Sequence, residues 1–245
     1  MDAPRIVHDL DDEAVLYKPA GRSCEGASTP EGPLPLDQWA KAQFSCATLK
    51  FPHRLDRATR GLVVVCKSAE AIARANAEIR DRSWRKFYVA RIPLPNASVT
   101  SRLLCEQKLF LRRSGTRAIV VRSGGDPSAQ VGILLRPSED GSGDAHLLLQ
   151  LKTGRFHQIR CMLAHFGAPL VGDTLYGSGA DPSQFELEHA LLVRGGKSPE
   201  SCARQRAILL PAHDFRRDWH PDIHAALRIL LNKFQAAPSG STESL

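Results

Sequence analysis

The chain has 245 residues, 42% of them hydrophobic and 24% charged, which excludes wholesale disorder and suffices for one large domain or two small ones. It has no apolar run of the ~18 residues a transmembrane helix needs, and the acidic stretch from Asp9 to Glu13 fits neither a secretory signal nor a transit peptide, so a cytoplasmic protein is expected. The net charge is +7, yet residues 51–125 alone carry +11 and residues 1–50 carry −3; positive charge gathered in one segment points to a polyanion, nucleic acid above all, with a merely solvated basic face as the alternative.

In chain order, Glu13 to Lys18 reads as a strand stopped by Pro19-Ala20-Gly21. Residues 23–35 are rich in Gly, Pro, Ser and Thr and read as a loop, and Leu36 to Phe44 as a short helix. Leu62 to Cys66 is a continuous apolar run of strand length. Ser68 can cap a helix whose apolar stripe is Ile72, Ala75 and Ile79. Phe87 to Ile92 is a strand with two unlike faces, ended by Pro93. Lys108 to Arg112 and Arg117 to Arg122 flank the turn Ser114-Gly115 as a hairpin, and residues 123–128 and 137–144 read as polar loops. Ala145 to Leu151 is a further strand; a turn at Thr153-Gly154 then starts a helix from Arg155 to Phe166, stopped by Gly167. The six cysteines are scattered with no CxxC pair, and read as reduced, mostly buried thiols. Strands outnumber helices and are mostly hairpin-like neighbours, so the class expected is α+β with a largely antiparallel sheet.

Polar residues crowd where a plain core would be apolar in three places. The first is His53-Arg54-Leu55-Asp56-Arg57-Ala58-Thr59-Arg60-Gly61, at the mouth of the buried strand. The second is Lys86-Phe87-Tyr88. The third is Thr153-Gly154-Arg155-Phe156-His157-Gln158-Ile159-Arg160 with Val171 to Gly177 after it. Arg160 lies beside an apolar stripe, where a guanidinium needs an anion. Taken singly, Asp56 is a turn residue, Tyr88 a packing residue, and His53 and His157 bond the loop backbone.

In this order and spacing the segments resemble the RluA-type pseudouridine synthase family. The stretches that match are His53-Arg54-Leu55-Asp56 with Thr59 and Gly61-Leu62, Lys86 with Tyr88, Gly154-Arg155 with His157-Gln158-Ile159-Arg160, and Gly172-Asp173 with Tyr176-Gly177. Lys18-Pro19-Ala20-Gly21 and Leu210-Pro211 with Asp214-Phe215 fit the family's opening and closing segments. Arg60 stands where the family has Ser, and Phe156 where it has Thr. Residues 178–209 do not resemble the family's motifs.

The resemblance implies a mixed, largely antiparallel sheet split by a catalytic cleft with flanking helices. It implies that uridine in ribosomal or transfer RNA is isomerised to pseudouridine. The uracil N1–C1′ bond breaks, the base turns, C5 joins C1′, and no cofactor or metal takes part. The target base must first be flipped out of its stack. Asp56 matches the catalytic aspartate, either as a nucleophile or as the base that takes a ribose proton. Tyr88 matches the active-site tyrosine, whose ring can stack on uracil and whose hydroxyl can help move the C5 proton. Arg160 matches the arginine that pairs with that aspartate and keeps it ionised. Arg54, His53, Thr59, Arg155, His157 and Gln158 are expected to bind RNA or support the site, and Asp173 to brace its turn. Phe156 is expected to pack against the pocket wall and narrow what lies beside the uridine. The organisation expected is an N-terminal extension over 1–12, one catalytic domain over 13–235 and a disordered tail over 236–245. The protein is expected to act as a monomer, with RNA as its partner and neither membrane nor metal. The alternative is a non-catalytic RNA-binding protein on the same fold, its base pocket closed by Arg60 and Phe156.

Overall fold

The computed structural model describes residues 2–27, 32–195, 206–215 and 218–236. In chain order the strands and helices are β1 (Arg5–Asp9), β2 (Glu13–Lys18), α1 (Leu36–Phe44), β3 (Arg60–Cys66), α2 (Ala69–Arg80), β4 (Arg85–Pro93), α3 (Ala97–Leu103) and β5 (Glu106–Ser114). They continue with β6 (Arg117–Val121), β7 (Asp126–Pro137), β8 (Asp144–Leu151), α4 (Gln158–His165), β9 (Leu187–Arg194), β10 (Arg206–Leu209) and α5 (Pro221–Ala236). Every strand pairing whose register is defined is antiparallel. The class is α+β, as expected. Among the described residues no helix is long and apolar enough to cross a membrane.

The chain divides into two compact units, the first comprising Met1–Trp84, His189–Phe215 and the residues from Leu230, the second Arg85–Glu188 and Arg216–Ile229. In the first, β1 pairs with β2 and β2 with β3, while β10 pairs with β9. The apolar run of β3 is buried from Gly61 to Cys66. Ser68 caps α2 by accepting a hydrogen bond from the Ala71 amide, and Ala71 and Ala75 form the helix's buried stripe. Gly61 is required where β3 begins. Its φ is +114°, and a Cβ there would stand 2.3 Å from the carbonyl oxygen of His189. Arg194 joins this core through Glu13 at 2.6 Å and Glu78 at 3.1 Å, its guanidinium carbon 4.7 Å from the centre of the Trp84 ring.

The second unit carries the strand order β4-β8-β7-β5-β6. Its core includes Phe87, Val89 and Ala90 of β4 and Leu147, Leu148 and Leu149 of β8. α4 packs Cys161 and Met162 against Leu111 and Ala118 of the β5–β6 hairpin. Trp219 donates to the Glu188 carboxylate at 3.2 Å, and Arg136 pairs with Asp222 at 2.6 Å.

The structure departs from the sequence reading at several elements. Asp126–Pro137 is one strand, although residues 123–128 read as a loop; pairing of Phe110 with Pro127 and Leu111 with Asp126 extends it over polar sequence. The helix expected from Arg155 starts at Gln158, because His157 takes up a left-handed conformation with φ 50°. Arg5–Asp9, inside the stretch read as an extension, pairs with β2. β9, β10 and α5 lie in stretches where no element was expected. Cys24, Cys66 and Cys161 are buried free thiols and Cys105 is exposed; Cys202 and the tail expected from residue 236 lie, the tail from 237 onward, outside the described residues.

Candidate functional site

In the first unit the loop before β3 presents Asp56, and two other stretches of that unit hold the loop in place. Lys18 ends β2 with no exposed surface. Its ammonium donates to the carbonyls of Pro19 at 3.0 Å, Arg22 at 2.7 Å and Arg57 at 3.2 Å. The Gly21 amide donates to the same Arg57 carbonyl at 2.8 Å, and Arg57 Nε returns a bond to the Gly21 carbonyl at 2.9 Å. The Leu55 amide donates to Cys24 Sγ at 3.3 Å, and the Cys24 thiol reaches the Leu55 carbonyl at 3.5 Å. Residues 55 and 57 are therefore tied on either side of Asp56. The Asp56 carbonyl accepts from the Thr59 amide at 3.1 Å, which closes the turn; Thr59 is buried and Asp56 half-buried.

Burial lowers the Lys18 pKa to about 8, opposed by the negative charge of Asp56. Burial raises that of the Cys24 thiol, which keeps it protonated. His53 accepts the Val64 amide at Nε2, 3.0 Å away, and sets its ring edgewise to Trp84 and His189. It anchors the loop to β3. Arg54 is exposed and meets Glu25 at 3.2 Å. Arg60 donates to the Asp214 carbonyl at 3.1 Å and lies 5.6 Å from the centre of the Tyr17 ring.

Replacing Lys18 with Met keeps the length of the stem but strips donors from three carbonyls. The expected cost is about 2–3 kcal/mol, read from the shift in urea midpoint. Activity at a temperature where the variant is still folded should fall as well, because Asp56's loop has lost its tie. A midpoint and rate equal to the parent's would remove Lys18 from this role.

In the second unit Tyr88 sits buried on β4, paired in register with Leu149. Lys86 precedes it by two residues and so shares its strand face. The Lys86 ammonium lies 3.0 Å from where a Cβ on Gly154 would stand, and burial lowers its pKa to about 8. Gly154 leaves room for this cation.

Gln158 is buried and its amide shapes the loop before α4. Its Oε1 accepts from the Thr153 hydroxyl at 2.7 Å and the Arg155 amide at 3.1 Å, while Nε2 donates to the Ala129 carbonyl at 3.0 Å. These bonds hold the loop that leads into α4. Arg155 is exposed, and its Nε donates to the Pro127 carbonyl at 3.3 Å.

Arg160 is nine-tenths buried, and the carboxylate of Asp173 grips it in a two-pronged pair of 2.7 and 2.8 Å. Its Nη1 points at His157 Nε2, 3.1 Å away. A guanidinium only donates, so Nε2 must accept and the proton of the neutral ring sits on Nδ1. Nδ1 faces the Tyr176 hydroxyl at 3.1 Å, which also accepts the Ala118 amide at 2.7 Å. Burial first, then the Arg160 charge, drive the His157 pKa down to about 4. Burial raises that of Tyr176 to about 12. Both groups are neutral at pH ~7, which leaves the Arg160–Asp173 pair as the charged element of the array.

A histidine whose folded pKa is depressed stabilises the fold fully above its unfolded value of 6.5 and loses that contribution as pH falls toward 4. Allowing for its partial exposure, the loss is roughly 1–2 kcal/mol. Urea titrations at pH values across this window should show the decline in the parent and a flatter profile in His157→Gln. Equal slopes would exclude His157 as its source.

The structure thus places His53, Arg54, Asp56 and Thr59 in the first unit, and Tyr88, Arg155, His157, Gln158 and Arg160 in the second. Lys18 and Lys86 stood in the sequence motifs without an assigned role, and Asp173 only as the brace of its turn. The signal for these roles was position: lysines beside buried apolar stretches of β2 and β4, and an aspartate next to Gly172.

The sequence profile of the RNA pseudouridylate synthase family matches residues 12–165. A ribosomal large subunit pseudouridine synthase D from Yersinia pestis is 27% identical over 235 residues, covering 94% of this chain and 70% of that protein. The protein of the same name from Haemophilus influenzae is 26% identical over 242 residues, covering 94% and 71%. Among solved structures, human RNA pseudouridylate synthase domain containing 1 shares the fold with a TM-score of 0.73 at 21% identity, over 98% of this chain and 97% of that one. Human RNA pseudouridylate synthase domain containing 4 gives 0.61 at 17% identity, over 92% of each chain. The profile takes in the loop of Asp56, the strand of Tyr88 and the helix of Arg160, and on that match the chain belongs to the RNA pseudouridylate synthase family, in its RluA-type branch.

Proposed function

We propose that this RNA pseudouridine synthase isomerises defined uridines of large-subunit ribosomal RNA, with Asp56, Tyr88 and Arg160 as its catalytic residues. The reading is carried by one observation: the family match over residues 12–165 contains all three residues, in motifs that keep their order. The RNA class follows the names of relatives alignable over 94% of the chain. The reaction neither adds nor removes atoms. The N1–C1′ bond breaks, C5 bonds to C1′, a proton leaves C5 and one arrives at N1. Asp56 supplies the carboxylate that attacks carbon or removes a ribose proton, and the Tyr88 hydroxyl helps move the C5 proton. The excess of positive charge in residues 51–125 offsets the cost of unstacking the base by gripping phosphates.

The test is to incubate the purified chain with unmodified transcripts of large-subunit ribosomal RNA and of transfer RNAs, and to map pseudouridine by chemical probing. Modification of one or a few ribosomal uridines is expected. Modification confined to transfer RNA would replace the proposed substrate, and none in either would overturn the reading.

A further inference from the structure

The Phe156 ring lies in a column of flat groups that begins at Arg160. His157 is held through both ring nitrogens, by Arg160 and by the Tyr176 hydroxyl. Phe156 stacks on it, ring centres 3.9 Å apart and planes 17° apart. The guanidinium carbon of Arg113 then lies 4.6 Å from the centre of the Phe156 ring. Arg113 Nε donates to the Gly115 carbonyl at 3.1 Å across the hairpin turn, which fixes the group in place. Phe156 is 38% exposed and Arg113 exposed, so the column ends at solvent.

An exposed phenylalanine can be covered by an arginine simply to hide apolar surface. The charges of the hairpin argue for more. Residues 106–122 hold five basic side chains, Lys108, Arg112, Arg113, Arg117 and Arg122, against Glu106 as the one acid. Glu106 is taken by Lys108 at 3.6 Å, and no carboxylate lies within ion-pair distance of Arg112, Arg113, Arg117 or Arg122 among the described residues. A rigid guanidinium over an aromatic ring, on a hairpin of uncompensated arginines, has the chemistry of a single-stranded RNA site. Bases stack on such planes, and phosphates take the charges beside them.

We propose that the Arg113–Phe156–His157 column is a stacking platform for a nucleobase next to the target uridine, with the net positive charge of the hairpin drawing in the RNA backbone. It rests on the RNA-isomerising reading of Arg160's surroundings, and adds a subsite that depends on Phe156, the ring standing where the family has Thr.

The test measures affinity of the full chain for a short single-stranded oligouridylate at several salt concentrations, alongside pseudouridine formation by the parent. Arg113→Lys keeps the charge but loses the plane. It should weaken binding about tenfold while leaving the salt slope unchanged. Arg113→Gln should weaken it further and flatten the slope by about one charge. Phe156→Leu should resemble Arg113→Lys, which stands as the safer variant should the leucine disturb the turn. If the parent binds and isomerises RNA while Arg113→Lys binds as tightly as the parent, the platform is wrong and the functional reading stands. If the parent neither binds nor isomerises RNA, both fall.

Discussion

Pseudouridine formation by Asp56→Asn is expected to fall by at least ~10³-fold, to background, with the fold intact. The fold stays intact for local reasons. What positions the loop is its backbone: the Thr59 amide on the Asp56 carbonyl, Lys18 and Gly21 on the Arg57 carbonyl, and Cys24 on Leu55. None of these bonds uses the Asp56 carboxylate, and Asn has nearly the same volume. The chemistry has no such reserve. An amide neither attacks C1′ nor takes a ribose proton at useful rates, so both routes open to the carboxylate close together. A second consequence concerns Lys18, whose pKa of about 8 is held up in part by the Asp56 charge. Removing that charge lets burial depress it further, so binding and stability of the variant should be compared below pH ~7, where the ammonium stays protonated. RNA affinity should hold or rise slightly, because a negative charge has left a surface that meets phosphates. The measurement is release of tritium from uracil C5 in labelled ribosomal transcripts, a direct count of the proton that isomerisation displaces. Turnover by Asp56→Asn at the parent's rate would remove Asp56 from the mechanism. A parent that releases no label while still binding RNA would favour a non-catalytic RNA-binding protein instead.

Elements with unambiguous local patterns were legible in the sequence. β3 is apolar at five successive positions, and α2 has a serine cap and an apolar stripe through Ala75, although Ile72 and Ile79 of the stripe are only half-buried. The loops that bear function were legible only as motifs, because their shapes are set by side chains reaching back onto the backbone. His157 takes up a left-handed conformation, so the helix begins later than its composition implies, and Gln158 ties down the loop before it. Lys18 shows the same limit in another form. Nothing in a lysine at a strand's end says that three carbonyls will gather round it, since those carbonyls come from residues 19, 22 and 57. β7 was hidden because Gly132 and an irregular register before Leu134 break its alternation, and its pairing with β5 is a tertiary fact. The need of Arg160 for an anion was readable from its place beside an apolar stripe. That Asp173 supplies one was not, because Gly172 and Gly177 make that segment look like a simple turn.

Asp173→Asn tests that ion pair, and it is expected to cost ~3–5 kcal/mol, a large part of the ~5–15 kcal/mol that holds a typical domain together. The Asp173 side chain has no exposed surface, and both of its oxygens accept from Arg160. Asn has the same shape but turns one acceptor into a donor, which then faces a guanidinium that can only donate. The arginine's charge is not removed, and it has lost the carboxylate that gripped it at two nitrogens, which is the costly case for a buried charge. The damage should spread along the array. Arg160 orients His157 through Nη1, and the Asp173 backbone carbonyl receives the amides of Tyr176 and Ser178, so the loop carrying Tyr176 depends on the same residue. Urea unfolding gives the magnitude, and hydrogen exchange at the amides of α4 and β8 places it in the second unit. Substituting both partners, Asp173→Leu with Arg160→Met, removes the buried charge together with its counter-ion. It should recover much of the lost stability while leaving the enzyme inactive. That split matters most: stability restored without activity identifies Arg160 as a group retained for chemistry, whereas activity returning with stability would show that the pair serves the fold alone.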